Sequence, residues 1–258
     1  MSAPLPSVDG AVFVEVLTDE ELSVVARPGP MPVTPFLDEL DEGERETARR
    51  TAYRSLLARG VLDPPTPEAV ARAAAVRDGS VDLPVRDDVR SLVALREGAE
   101  MVVAVARSAA AWQDFWYAHV VKDVVLLEQV SSDGLHRFAL LEAEELARAV
   151  LGAAVHPDAG AAPTGAPVPV PAPTEDPTPP DEVLERLGAA FLRTDVVVRR
   201  VGDTDPPALT IFSGPGGCWL VEAAVAPRLA EPLDVETARA RLSETLAGVR
   251  AELEVLRG

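Results

Sequence analysis

Hydrophobic positions change their spacing several times along the 258-residue chain, and each change marks a candidate element. Ala11–Leu17 (AVFVEVL) is a short run rich in Val and predicts an opening strand. From Asp41 to Arg59, Ala48, Ala52 and Leu56 recur every fourth residue behind an acidic first turn, and Gly60 follows. That pattern predicts an amphipathic helix with a glycine stop. Thr66-Pro67-Glu68 supplies an N-cap, a proline at the first helical position and an acid beside it, opening a second helix that ends near Asp78-Gly79. From Met101 the period shortens. MVVAVAR (Met101–Arg107), FWYAHVV (Phe115–Val121), DVVLLEQ (Asp123–Gln129) and LHRFALL (Leu135–Leu141) are β-branched or aromatic runs that predict strands. Val130–Gly134, between the last two, reads as a hairpin turn. Helical spacing returns over Glu142–Leu151, with Leu146 and Val150 on one face.

Between His156 and Pro180 the pattern vanishes: nine of 25 residues are proline. Proline removes backbone donors and Pro-x-Pro alternation favours extended chain, so the segment predicts a solvated, semi-stiff linker. A PxxP ligand is the sharper reading, but the flanking arginines such ligands carry are missing. After it the same order of elements recurs. Asp181–Arg193 predicts a helix with Val183, Leu184, Leu187 and Phe191 on one side. Strands follow at Asp195–Val201, Ala208–Ser213 and Cys218–Val225, and a long helix from about Asp234 to Leu256 carries Leu242, Leu246, Val249 and Leu253 on one face. The expected fold is therefore α+β, with a quasi-twofold two-half architecture and antiparallel sheet or sheets flanked by helices. The expected division is 1–155, a linker over 156–180, and 181–258. A small sheet in each half would expose an edge, which pairing of the halves would cover. One quasi-symmetric domain and two separate ones both fit.

Composition narrows the partners. Net charge is −18, from 42 acidic and 24 basic side chains, so phosphate backbones and anionic lipid are repelled and no nucleic-acid partner is expected. No apolar run reaches the length of a membrane span. The first ten residues lack a basic stretch followed by an apolar one, so a cytoplasmic location is expected. Lys122 is the only lysine, and with the excess of Ala, Val and Pro it points to a GC-rich genome, such as that of an actinobacterium. The single cysteine, Cys218, excludes an internal disulfide and a cysteine-rich zinc site.

Candidate chemistry is sparse. His119 and His136 lie in predicted strands and could face each other across the sheet, while His156 opens the linker and is expected to be exposed. No histidine pair has metal-ligand spacing. Cys218 is followed by Trp219, Leu220 and Val221 and reads as a buried small hydrophobe. Gly214-Pro215-Gly216-Gly217 lacks the lysine and following helix of a phosphate loop and reads as a hairpin turn. Glu142, Glu144 and Glu145 are accounted for by a helix start, and Asp203 and Asp205 by a loop. No catalytic residue, metal or cofactor is expected. The most distinctive feature is aromatic: Trp112, Phe115, Trp116 and Tyr117 place four of the chain's eleven aromatics within six residues. In a strand, Trp112 and Trp116 share one face and Phe115 and Tyr117 the other. Ordinary core packing and a partner-binding surface are both open for them.

The helix ERETARRTAYRSLLARGVLD (Glu44–Asp63), the proline-capped helix after it, the valine-rich strands and the closing helix resemble the actinobacterial EspG family, chaperones of ESX (type VII) secretion. The resemblance covers the chain outside the linker. It implies a quasi-twofold fold around an antiparallel sheet, no catalysis, and a helical protein partner of the PE–PPE type kept soluble before export. The alternatives are an immunity or regulatory protein that uses its acidic surface on a basic toxin, and a structural or interaction protein of another kind. An enzyme would require a pocket joining His119, His136 and an acid.

Overall fold

A computed structural model describes residues 10–27, 33–76, 83–160, 163, 165–170, 181–200, 202–204, 206–222 and 227–257. Ten strands among them pair into one antiparallel sheet: β1 (Val12–Thr18), β2 (Met101–Ala109), β3 (Trp112–Val121), β4 (Val124–Val130), β5 (Leu135–Glu142), β6 (Val168–Pro169), β7 (Leu192–Arg200), β8 (Ala208–Gly214), β9 (Gly217–Glu222) and β10 (Leu229–Leu233). The helices are α1 (Asp19–Val25), α2 (Pro35–Asp38), α3 (Glu42–Ala58), α4 (Pro67–Ala74), α5 (Asp87–Glu97), α6 (Leu146–Ala154), α7 (Asp181–Leu187) and α8 (Val235–Arg257).

The spatial order β1-β5-β4-β3-β2-β7-β8-β9-β10-β6 reads the same way outward from its centre. In each half the first strand lies at the outer edge, and the four that follow run in sequence from the middle. β2 meets β7 from Met101↔Arg200 to Ser108↔Arg193, so the two halves share one sheet. The fold is the α+β, quasi-twofold arrangement that the repeated order of elements predicted.

Strand alternation sorts the side chains onto two faces. On one face lie Met101, Val103, Val105, Trp116, Ala118, Leu127, Val196, Val198, Ile211, Cys218 and Leu220. These form a single core with Val150 of α6 and Leu242 and Leu246 of α8. Each fully buried aliphatic side chain there contributes about 1.5–3 kcal/mol. The other face carries two separate cores. Leu17, Leu126 and Phe138 are buried beneath Leu22, Leu56 and Leu92 of α1, α3 and α5. At the far end Trp219, Val221 and Ala230 pack with Val183 and Leu187 of α7.

Local signals explain the elements, including those not anticipated. Asp41 and Glu44 form the capping box of α3, each carboxylate accepting the other's backbone N–H at 2.9 Å, and Gly60 at φ +67° ends that helix. Thr66 accepts the N–H of Ala69 and starts α4, which stops at Ala74, while Asp78-Gly79 lies outside the described residues. α1 follows β1 without a break because Thr18 and Glu21 form a second capping box. α5 was likewise not anticipated, although Val89 and Leu92 carry helical spacing.

The second-half helix is shorter than expected. α7 ends at Leu187, so Phe191 is not on a helix face but 53% exposed, its N–H donating to the Ser213 carbonyl at the entry to β7. Cβ atoms could not follow the chain there easily, since one added at Gly214 would lie 3.0 Å from the Phe191 nitrogen. Within the segment read as a linker, Gly160 donates to the Gly214 carbonyl and Val168–Pro169 pairs with Leu229–Ala230. An extended, proline-biased chain already has nearly strand-like dihedrals, so a short edge strand costs it little. Pro171–Pro180 lies outside the described residues, as do the side chains of Leu184, Val249 and Leu253.

Gly134 closes the β4–β5 hairpin at φ +73°, and an added Cβ would meet Phe36 Cβ at 2.8 Å and Asp19 Oδ2 at 2.9 Å. Gly134→Ala should therefore lower unfolding free energy by about 2 kcal/mol or more in urea titration, through left-handed strain and the clash. Gly216→Ala, with nothing within 4 Å of its added Cβ, should shift stability by under about 0.5 kcal/mol.

Candidate functional site

β3 carries the aromatic cluster, and its pleat splits it. Trp116 is 1% exposed within the large core, and Trp112, on the same face, is half-buried with the Arg107 guanidinium 5.4 Å from its ring. Arg107 is held there by a buried two-point ion pair to Asp114, its cross-strand partner. On the opposite face Tyr117 is buried, its hydroxyl accepting the Val33 N–H at 3.2 Å, and burial pushes the phenol pKa up to about 12. Phe115, two residues away, is half-buried. Trp112 and Phe115 are thus the two members that meet solvent, on opposite faces.

Phe115 borders a half-covered part of the sheet. α5 packs on β3 and β4, and α7 packs on β6 beyond the other side of the centre. Between them Val102, Ala104, Ala106 and Val197 are half-buried, and Arg193 and Arg199 are exposed. Register places these side chains side by side: Ala106 opposite Phe115 and Asp195, Ala104 opposite Tyr117 and Val197. Asp195 accepts from Thr210 at 2.6 Å and pairs with Arg193 at 3.1 Å, and the Arg193 guanidinium also lies over the Phe212 ring. The result is a shallow, small-side-chain trough along the pseudo-twofold centre.

Next to it, beneath α1 and α5, is a buried ionic cluster. Glu128 accepts from His119 Nε2 at 2.7 Å, from His136 Nδ1 at 2.7 Å and from Arg96 Nε at 3.0 Å. The other nitrogen of His136 lies 2.5 Å from Asp19 Oδ1, and Asp19 Oδ2 accepts the N–H groups of Phe36 and Leu37 at the start of α2. Both ring nitrogens of His136 face carboxylates, so both donate and the ring is an imidazolium. Burial works against that charge, but the hydrogen bonds to Asp19 and Glu128 outweigh it and raise the pKa of His136. Burial likewise pushes Glu128 up, and the two histidine hydrogen bonds with the Arg96 charge overcome it, holding the carboxyl far below its ordinary range. His119 Nδ1 has no hydrogen-bond partner among the described residues.

The two strand histidines do converge, therefore, on one carboxylate between them. Asp19, Glu128 and His136 are each 0% exposed, and a group without access to a reactant is a structural charge rather than an acid or base. No group of three or more His, Cys, Asp or Glu among the described residues is placed to hold a metal ion. Cys218 is buried in the large core, and burial raises its thiol pKa. His156, expected to be exposed, is half-buried because its ring meets the edge of Phe191 and its N–H donates to Ser213 Oγ. Gly214–Gly217 is the β8–β9 turn, with Gly217 at φ +106°. No described helix is long and apolar enough to cross a membrane.

No family model matches the chain, and no curated protein matches it. Among solved structures, the chain is similar to one in the Mycobacterium tuberculosis type VII secretion system chaperone EspG5 in complex with the PE25-PPE41 dimer. Identity is 12% and the TM-score 0.43, over 75% of this chain and 92% of that one. A likeness of that size says nothing about what this chain binds.

Glu128, Asp19 and Arg96 were not anticipated. The available signal was a lone carboxylate inside the apolar run VVLLEQV, where neighbouring positions are buried on both faces. Glu128→Gln should destabilise the fold by about 3–5 kcal/mol, because His136 and Arg96 lose their shared counter-charge. The raised pKa of His136 gives stability that is full below the ordinary imidazole value of 6.5 and is lost as pH rises through the folded value. The lowered pKa of Glu128 gives stability that is full above 4.5 and is lost as pH falls through its folded value. Urea stability should accordingly plateau between those two values, and His136→Gln should flatten the alkaline limb.

Proposed function

We propose that this chain is a non-catalytic chaperone or adaptor that receives a helical segment of a partner protein in the central trough of its sheet. The observation that supports this reading is the half-covered strip of Val102, Ala104, Ala106, Phe115 and Val197 between two helix-covered ends. From β3 to β8 the sheet crosses three strand spacings, about 14 Å, and a helix with side chains is about 10–12 Å across, so one helix can lie between the flanking layers. Small residues on the floor let a helix backbone approach, and Phe115 supplies an aromatic anchor. The sequence resemblance to ESX-associated chaperones supports a helical type VII secretion substrate of the PE–PPE kind as the proposed partner, to be met in the cytoplasm before export. In that role Phe115 offers contact area and Trp116 and Tyr117 fix the strand that carries it, while Trp112 lies on the opposite face, outside the trough.

Affinity capture from the native host should recover a small, helical secretion substrate, and Ala104→Arg or Phe115→Arg should weaken its binding by about tenfold or more without moving the thermal midpoint. Capture should survive raised salt, since apolar contacts are not screened, whereas a basic toxin held by the acidic surface would be released. Recovery of no such partner, together with normal export after deletion of the gene, would overturn the reading.

A further inference from the structure

A second site lies away from the trough, where α1, α2, α3 and the end of α5 enclose a cavity of about 440 Å³. Its wall gathers Arg27, Arg45, Arg49 and Arg96 with a single carboxylate, Asp38. In a chain of net charge −18, four of the 24 basic side chains on one cavity is a local reversal of sign. The one acid is partly engaged, since Asp38 Oδ1 accepts the Thr34 hydroxyl at 3.0 Å. Arg45 is oriented but not neutralised: its Nε donates to the Leu37 carbonyl at 2.9 Å and its Nη2 to the Asp38 carbonyl at 3.4 Å. Arg96 shares Glu128 with His119 and His136. The side chains of Arg27 and Arg49 make no hydrogen bond or ion pair with any described residue. Glu97 stands nearby, engaged by the backbone N–H of Arg27.

Like charges collected on one wall repel, and the arrangement becomes favourable when an anion sits among them. The guanidinium fork matches the oxygens of phosphate in two-point hydrogen bonds, and the volume falls in the range of small-molecule pockets. We infer that this cavity binds a small polyanion of the phosphate class, through Arg27, Arg45 and Arg49 with Arg96 at its back. The source of the phosphate, free or carried on a nucleoside, is what the ligand series separates.

The test is isothermal titration of the full chain with inorganic phosphate, pyrophosphate and ATP, without divalent cations and at matched ionic strength. Saturable binding of pyrophosphate is expected, weakened about tenfold in Arg49→Ala through loss of a charge-assisted contact. Arg27→Ala, at an exposed position, should weaken it as well while leaving the unliganded melting curve unchanged. Equal affinity for pyrophosphate and ATP assigns the recognition to phosphate alone, and tighter ATP binding gives the nucleoside a share. No saturable binding of any of the three, or binding that both variants leave unchanged, would overturn the proposal.

Discussion

The antiparallel pairing of Met101–Ser108 with Arg193–Arg200 is the contact on which the rest of the architecture depends. Each half alone would be a sheet of five strands with an inner edge exposing a full row of backbone donors and acceptors. Joining β2 to β7 satisfies both rows at once. It also makes the apolar faces of the two halves continuous, so that Val103, Val105, Val196 and Val198 belong to one core. α6 and α8, the closing helices of the two halves, pack against each other over that core and cover it from one side. The opposite face has no counterpart to this pair at its centre among the described residues. The helices there belong to the outer parts of each half, and the junction stays shallow.

The buried charges follow from how the first half closes its own end. α1 and α2 are short and carry few apolar residues, so packing alone anchors them weakly. Asp19 instead supplies both ends of the anchor: one oxygen holds His136 on β5, and the other accepts the first N–H groups of α2. Glu128 then links β3, β4, β5 and α5 through His119, His136 and Arg96. An ion cluster of this kind contributes less net stability than apolar packing of equal volume, yet it tolerates only one arrangement of its partners. That geometric demand fixes where the helical layer sits, and with it the wall of the arginine-lined cavity to which Arg96 also belongs.

Much of the sheet was legible in the sequence because its signals are local. The runs at Met101, Phe115, Asp123 and Leu135 became β2 to β5, and Thr66-Pro67 and Asp41 began the helices they were read to begin. β6 and β10 were hidden because each contains a proline, Pro169 and Pro232, which lowers any strand expectation, although edge positions accommodate it. α1 was hidden by its junction with β1, where only the Thr18–Glu21 capping box marks the change. The candidate site was less legible. Aromatic residues drew attention to β3, but which of them meets solvent depends on the helices covering each face. A trough floored by Ala104, Ala106 and Val197 leaves no compositional mark. Neither do arginines drawn together from positions 27, 45, 49 and 96, since their meeting is a product of the helical layer.

The two outer edges decide how a partner can approach the sheet. At β1 the Val16 N–H is taken by the Glu15 carboxylate at 3.0 Å and the Val16 carbonyl by Arg59 at 2.9 Å. Arg86 adds a second guanidinium to Glu15. The irregularity in pairing between Phe13 and Glu15 disturbs the ladder of that edge further. At the other end β6 is two residues long and includes Pro169, which has no N–H to offer. Charge closes one edge and proline the other, so strand addition has little ladder to extend at either. A partner is then directed to a face, and the face over the large core is occupied by α6 and α8. On the other face, the described helices leave the strip of Val102, Ala104, Ala106 and Val197 half-covered, and the proposed helical partner would meet the sheet there.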